Sequence, residues 1–234
     1  MVTKEHISSK FDAELEDIRN SLMQMGGLVE KQLSFVVEAL AKGDADLAEE
    51  IVDTEESIDR MEMAIDEQCM RIIARRQPTA GDLRLVISIS KTVAELEAIG
   101  DDCKRIGYAL KDIIDKGYDK SMLLPARHLG NSTKTMVKRS LDNMARLDAD
   151  AALSVLRSGD DIDTEYEALM RQLVTFMMED SRSVPKVLDA IWIARSFERI
   201  ASRAFNMSHH CIFLVAGKDL RHRSIDDVEA AISD

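Results

Sequence analysis

Two sets of carboxylates in this 234-residue chain are spaced for chemistry. Asp59, Glu62 and Asp66 fall three and four residues apart, and Glu97 and Asp101 fall four apart. At that spacing each set shares one face of a helix. Like charges so placed repel, and near an apolar seam the repulsion grows unless a proton or a cation neutralises it. The small residues Ala94, Ala98 and Gly100 keep the backbone beside the second set accessible. Two such helices facing each other would offer oxygen ligands to a hard cation, Mg, Mn, Fe or Ca, rather than a thiolate zinc site. The expected ligands in the first half are Asp59, Glu62, Glu97 and Asp101. A later set, Asp163, Glu167, Glu198 and Asn206, repeats the theme. It has Ser202 where the first half has Asp101, so it is expected to bind more weakly. A solvated helix face would give the same spacing, and the residues alone leave both readings open.

Other chemistries lack their residues. His6, His128, His209, His210 and His222 are the only histidines, and none follows a Glu by three, as a di-iron bundle requires. His209 and His210 are adjacent, so on a helix they diverge and are expected to be one exposed and one packed. No phosphate-cradling GxxxxGK[ST] or GxGxxG occurs, nor GxSxG or HExxH. Cys69, Cys103 and Cys211 are odd in number and far apart, without a CxxC, which suggests neither a disulfide framework nor a cysteine metal site. No catalytic residue is expected. The thirteen methionines follow helical spacing and read as core filling, and Trp192 reads as packed within the second half.

The elements that position the carboxylates are long helices. Only 10 Gly and 3 Pro punctuate the chain, too few for the tight turns of a sheet fold. Phe11, Leu15, Ile18, Leu22, Met25, Val29, Leu33, Val36 and Leu40 advance by three and four, one apolar stripe capped by Ser8 or Ser9 and stopped by Gly43. A second helix is expected over about 46–75, carrying Leu47, Ile51, Ile58, Met61, Ile65, Met70 and Ile73. A third is expected over about 81–114, antiparallel to it through the short joint at Pro78. After a break over 116–121 the pattern restarts, with helices expected over 123–147, over 148–180 with a bend near Gly159, and over 184–215. The end of the chain is polar, with a short amphipathic piece near 225–232.

The halves repeat. Ala41-Lys42-Gly43-Asp44-Ala45-Asp46 aligns with Ala145-Arg146-Leu147-Asp148-Ala149-Asp150. Ile58-Asp59 aligns with Ile162-Asp163, and Leu96-Glu97-Ala98-Ile99 with Phe197-Glu198-Arg199-Ile200. The expected fold is therefore all-α, two tandem three-helix bundles, with residues 1–116 in the first, 117–217 in the second and 218–234 a polar tail. The formal charge is −12, which argues against a nucleic-acid binder. Residues 44–67 alone hold eleven carboxylates against the single Arg60. The first eleven residues show no apolar signal-peptide core, and the longest apolar run, Cys211 to Ala216, is far too short to span a bilayer, so a cytoplasmic location is expected. The long first helix leaves an apolar flank, from which a homodimer is expected.

Several segments together carry a family resemblance. HISSKFDAELEDIRNSLMQMGGLVEKQL, RRQPTAGDLRLV, LEAIGDDCKRI, EYEALMRQLVTFMMEDSRSVPKVL and LVAGKDLRH resemble, in order, segments of the PhoU family of phosphate-specific transport accessory proteins. The resemblance implies two similar three-helix bundles side by side. It implies a cytoplasmic negative regulator of the phosphate-starvation response, an adaptor between the ATPase subunit of the high-affinity phosphate ABC transporter and a membrane sensor histidine kinase. It also implies metal binding at the Glu/Asp stripes in some members. Here Ala98 replaces the usual Arg of the first stripe, and Ala201-Ser202 replace the usual Gly-Asp of the second. The membrane enters only through those partners. The competing expectation is a metal-handling or metal-dependent hydrolytic bundle built on the same stripes. A structural coiled coil fits less well with finite helices and an internal repeat.

Overall fold

The computed structural model describes residues 9–117, 123–221 and 223–233. The alternative cap Ser8, most of the expected break (118–121), His6 and His222 lie outside them. Among the described residues there is no strand. The first three helices are α1 (Ser9–Lys42), α2 (Ala45–Arg76) and α3 (Ala80–Asp115). The second half begins with α4 (Leu124–Arg146), α5 (Ala149–Arg157) and α6 (Gly159–Glu179). A 3₁₀ turn, Ser181–Ser183, leads into α7 (Val184–Ala216), and α8 (Ile225–Ser233) closes the chain.

All nine positions of the α1 stripe are buried. Each such side chain contributes ~1.5–3 kcal/mol when fully withdrawn from water. Gly43 ends the helix with φ 63°, a left-handed turn that suits glycine, and donates its N–H to Ala39 O at 2.7 Å. The sequence repeat has a structural cause at its first matched block. Asp44 caps α2 by accepting from the N–H groups of Asp46 and Leu47, and Asp148 caps α5 by accepting from that of Ala151.

Two expectations for the helices are corrected. Residues 148–180 form two helices, not one bent helix. At Ser158 the backbone N–H turns back to Val155 O at 3.0 Å and the hydroxyl donates to the same carbonyl at 2.7 Å, ending α5 before α6 starts at Gly159. On α2 the core is reached by Cys69 and Ile72, whereas Met70 and Ile73 face solvent.

Helices α1, α2 and α3 pack as one three-helix bundle, and α4, α5–α6 and α7 as the other. The bundles lie side by side, α3 against α7 and α1 against α4. The α1–α4 approach is close: a Cβ on Gly26 would stand 2.7 Å from Leu141 Cδ2. In the first bundle a single buried side chain ties all three helices. Gln32 of α1 donates to Ile51 O of α2 at 2.9 Å and Gly100 O of α3 at 3.4 Å. In the second, Ser140 of α4 donates to Ala204 O of α7 at 2.9 Å. The short α8 packs on α5 and α7 through the buried Val228.

Candidate functional site

The joint at Pro78 turns the chain through left-handed Gln77 (φ 49°) and Ala80 (φ 46°), which sends α3 back along α2. The α2 carboxylates thereby come to face α3. Asp66 accepts a hydrogen bond from Ser90 Oγ at 2.7 Å, and the buried Glu55 forms an ion pair with Lys104. Glu97 lies within the field of this group. Its partial burial first, then Glu62, Asp101, Asp59 and Glu55, push its carboxyl up to about 7. Glu62 is raised as well, by burial and then by Asp66 and Asp59. The structure therefore assembles Asp59, Glu62, Glu97 and Asp101 into one electrostatic unit, in which Glu97 takes up a proton near neutrality.

Its fit to a metal ion is poorer. The donors are hard oxygens, but Asp101 is held by Arg105 at 2.9 Å. Among the described residues no group of three or more His, Cys, Asp or Glu side chains is placed to hold a metal ion. As they stand, these residues do not make a preformed ligand set.

The second set is dispersed. Asp163 is exposed, Glu167 pairs with Arg171 at 3.4 Å, and Glu198 pairs with Arg195 at 3.6 Å. Asn206 faces the other bundle, where its amide donates to Glu95 Oε1 at 3.1 Å.

That last contact belongs to a polar seam between α3 and α7 that the spacing of Glu97 and Asp101 did not reveal. Arg203 meets Glu95 at 3.1 Å, Arg199 meets Asp102 at 3.4 Å, and Lys116 meets Asp189 at 3.5 Å. Residue numbers rise along α3 as they fall along α7, so the two helices are antiparallel. Asp102 is fully buried, between Arg199 and Arg105, the latter at 2.8 Å. Burial raises its carboxyl above the ordinary value, and the arginines offset only part of that rise. The signal for Asp102 was its place on the apolar face with Ile99, Cys103 and Ile106. A charge among core positions implies a partner.

The remaining reactive groups are sequestered. All three thiols are buried, and burial pushes Cys69 and Cys211 up to about 12, which keeps them protonated. His209 and His210 are both buried, not one of each, and burial above all lowers His210 to about 4. Trp192, expected to pack in the second half, is instead 67% exposed. Met25, Met136, Met144 and Met207 fill the core as expected, whereas Met63, Met70 and Met178 are exposed.

The PhoU domain model matches residues 22–110 and again 126–210, once on each bundle. The chain belongs to the PhoU family. It is 47% identical over 236 residues to the phosphate-specific transport system accessory protein PhoU homolog of Pseudomonas putida, covering 99% of this chain and 92% of that one. It is 45% identical to the phosphate-specific transport system accessory protein PhoU of Escherichia coli K12, over 97% and 94% of the two chains. The crystal structure of PhoU from Pseudomonas aeruginosa superposes with a TM-score of 0.86 at 46% identity, covering 89% of this chain and all of that one. The phosphate transport system regulatory protein PhoU from Streptococcus pneumoniae gives 0.81 at 28% identity, over 89% and 98%. The PhoU fold thus accounts for both bundles. No helix of the described residues is long and apolar enough to cross a membrane.

Proposed function

We propose that this chain is an accessory and regulatory protein of phosphate-specific transport, acting in the cytoplasm by binding rather than by catalysis. The observation that carries the reading is the 45–47% identity to accessory proteins of that name along nearly the whole chain, both bundles included. In this reading the protein is a dimeric adaptor. It links the ATPase subunit of the phosphate ABC transporter to the sensor histidine kinase of the phosphate response, favours the kinase's inhibitory state when phosphate is plentiful, and restrains uptake. The two bundles, joined by a charged seam, offer large helical faces for two partners. To shift the kinase the adaptor must bind one of its states more tightly, and a differential of ~1.4 kcal/mol moves the populations about tenfold.

The test is genetic. Deleting the gene for this protein leaves phosphate-starvation genes expressed in phosphate-rich medium, and removing the sensor kinase as well abolishes that expression. A deletion strain that represses those genes normally would overturn the regulatory reading.

A further inference from the structure

Helix α2 carries an apolar strip that nothing in the fold covers. Met63 is 64% exposed, Met70 63% and Ile73 42%. Their steps of seven and three place them along one side of the helix, over ~15 Å at 1.5 Å per residue. Unpaired acidic charge borders the strip on the side toward α3, while the carboxylates of the outer side are balanced by ion pairs. Asp59, Glu62 and Asp66 lie on the side toward α3, as the Ser90 bond to Asp66 shows, and Glu56 and Glu67 lie on the outer side. Arg60 is taken up by Glu56 and Arg71 by Glu67, both at 2.7 Å, and Arg76 is taken up by Glu14 at 2.8 Å.

The geometry points to α2 as a docking surface for a basic amphipathic helix of a partner protein, its apolar side on Met63, Met70 and Ile73 and its Lys or Arg residues on Asp59, Glu62 and Asp66. Methionine suits this task, because its unbranched thioether adapts to different apolar partners. An apolar strip of about three turns matches the i, i+3, i+7 anchors of a helix laid along it. Charge decides the occupant. An anionic lipid surface or a nucleic acid would be repelled by this flank. A second copy related by a two-fold axis would set the same carboxylates against themselves. The inference rests on the α2 surface alone and stands whether or not the regulatory reading holds.

The probe is a fluorescein-labelled 18-residue peptide of Leu and Lys patterned as an amphipathic helix, set beside a scrambled peptide of the same composition. Fluorescence anisotropy with the full chain is expected to show the patterned peptide binding at least tenfold tighter than the scrambled one. The triple variant Met63→Ser, Met70→Ser, Ile73→Ser is expected to lose that advantage. A control triple in the second bundle, Met178→Ser, Leu188→Ser, Trp192→Ser, removes exposed apolar side chains away from α2 and is expected to bind like wild type. The substituted side chains are exposed, so helical circular dichroism and melting are expected to be unchanged in both variants. Equal binding of the two peptides overturns the proposal, as does an α2 triple variant that binds like wild type. So does sedimentation showing that the α2 triple turns a dimer into a monomer, since a second copy would then own the strip.

Discussion

Replacing Glu97 by glutamine removes a charge without changing shape, and the effect on stability is expected to depend on pH. The folded protein holds the Glu97 carboxyl at about 7, against an ordinary value of 4.5. Between those values the native state binds a proton that the unfolded chain has released, so stability falls as pH rises across that window. Each pH unit is worth ~1.4 kcal/mol, which sets a ceiling of ~3 kcal/mol once Glu97 is fully ionised. The side chain is only partly withdrawn from water, and solvent screening reduces the expected value to ~1–2 kcal/mol. Glu97→Gln should therefore match wild type at pH 4.5 and exceed it by ~1–2 kcal/mol at pH 8. Urea unfolding at pH 4.5, 6 and 8 in chelator-treated buffer measures this directly. Taking the difference between variant and wild type cancels the other titrating groups, His210 included. A difference that stays flat across this range, or that favours wild type at pH 8, would refute the electrostatic account of the stripe.

Other outcomes follow from contacts already described. Arg199→Ala takes one partner from the buried Asp102 and is expected to cost ~2–4 kcal/mol in urea unfolding, with Asp102→Asn in the same background recovering part of it. Gly130→Ala raises helix propensity by ~1 kcal/mol, yet its Cβ would stand 2.7 Å from the fully buried Phe197 ring, so net destabilisation of ~1–3 kcal/mol is expected by thermal melting. His210 is held neutral by burial, with its value lowered to about 4, so the stability it contributes is present above pH 6.5 and lost as pH falls toward 4; His210→Gln should flatten that part of the pH profile. Arg105 occupies Asp101, so Arg105→Ala is expected to bind Mn²⁺ more tightly than wild type by calorimetry, and the further change Glu97→Ala should cancel the gain.

The helices were legible because three-and-four spacing survives any tertiary arrangement, and α1 kept all nine stripe positions inside. The repeat was legible because its first block contains the two N-caps Asp44 and Asp148, whose side chains the local backbone demands. What the sequence could not show depended on which helix lies across which face. Met70 and Ile73 belong to the helical period of α2, but no neighbour covers their side. Trp192 is apolar enough for a core, yet α7 turns it outward. Asp101 and Asp102 point about 100° apart, so a reading centred on Glu97 followed Asp101 to the stripe and missed Asp102. Only the placement of α7 against α3 makes Asp102 a buried charge.

The seam's three crossings, at Glu95 and Asp102 of α3 and at Lys116 just past its end, span ~30 Å at 1.5 Å per residue. They act together like rungs of a ladder. Shear of one bundle past the other must break all three rungs at once, so axial slip is the stiff direction. Both partners of the outer rungs are partly in water, whereas the middle rung has its carboxylate, Asp102, fully buried beneath a half-exposed Arg199. Added salt should therefore weaken the outer rungs first and leave Asp102 as a pivot.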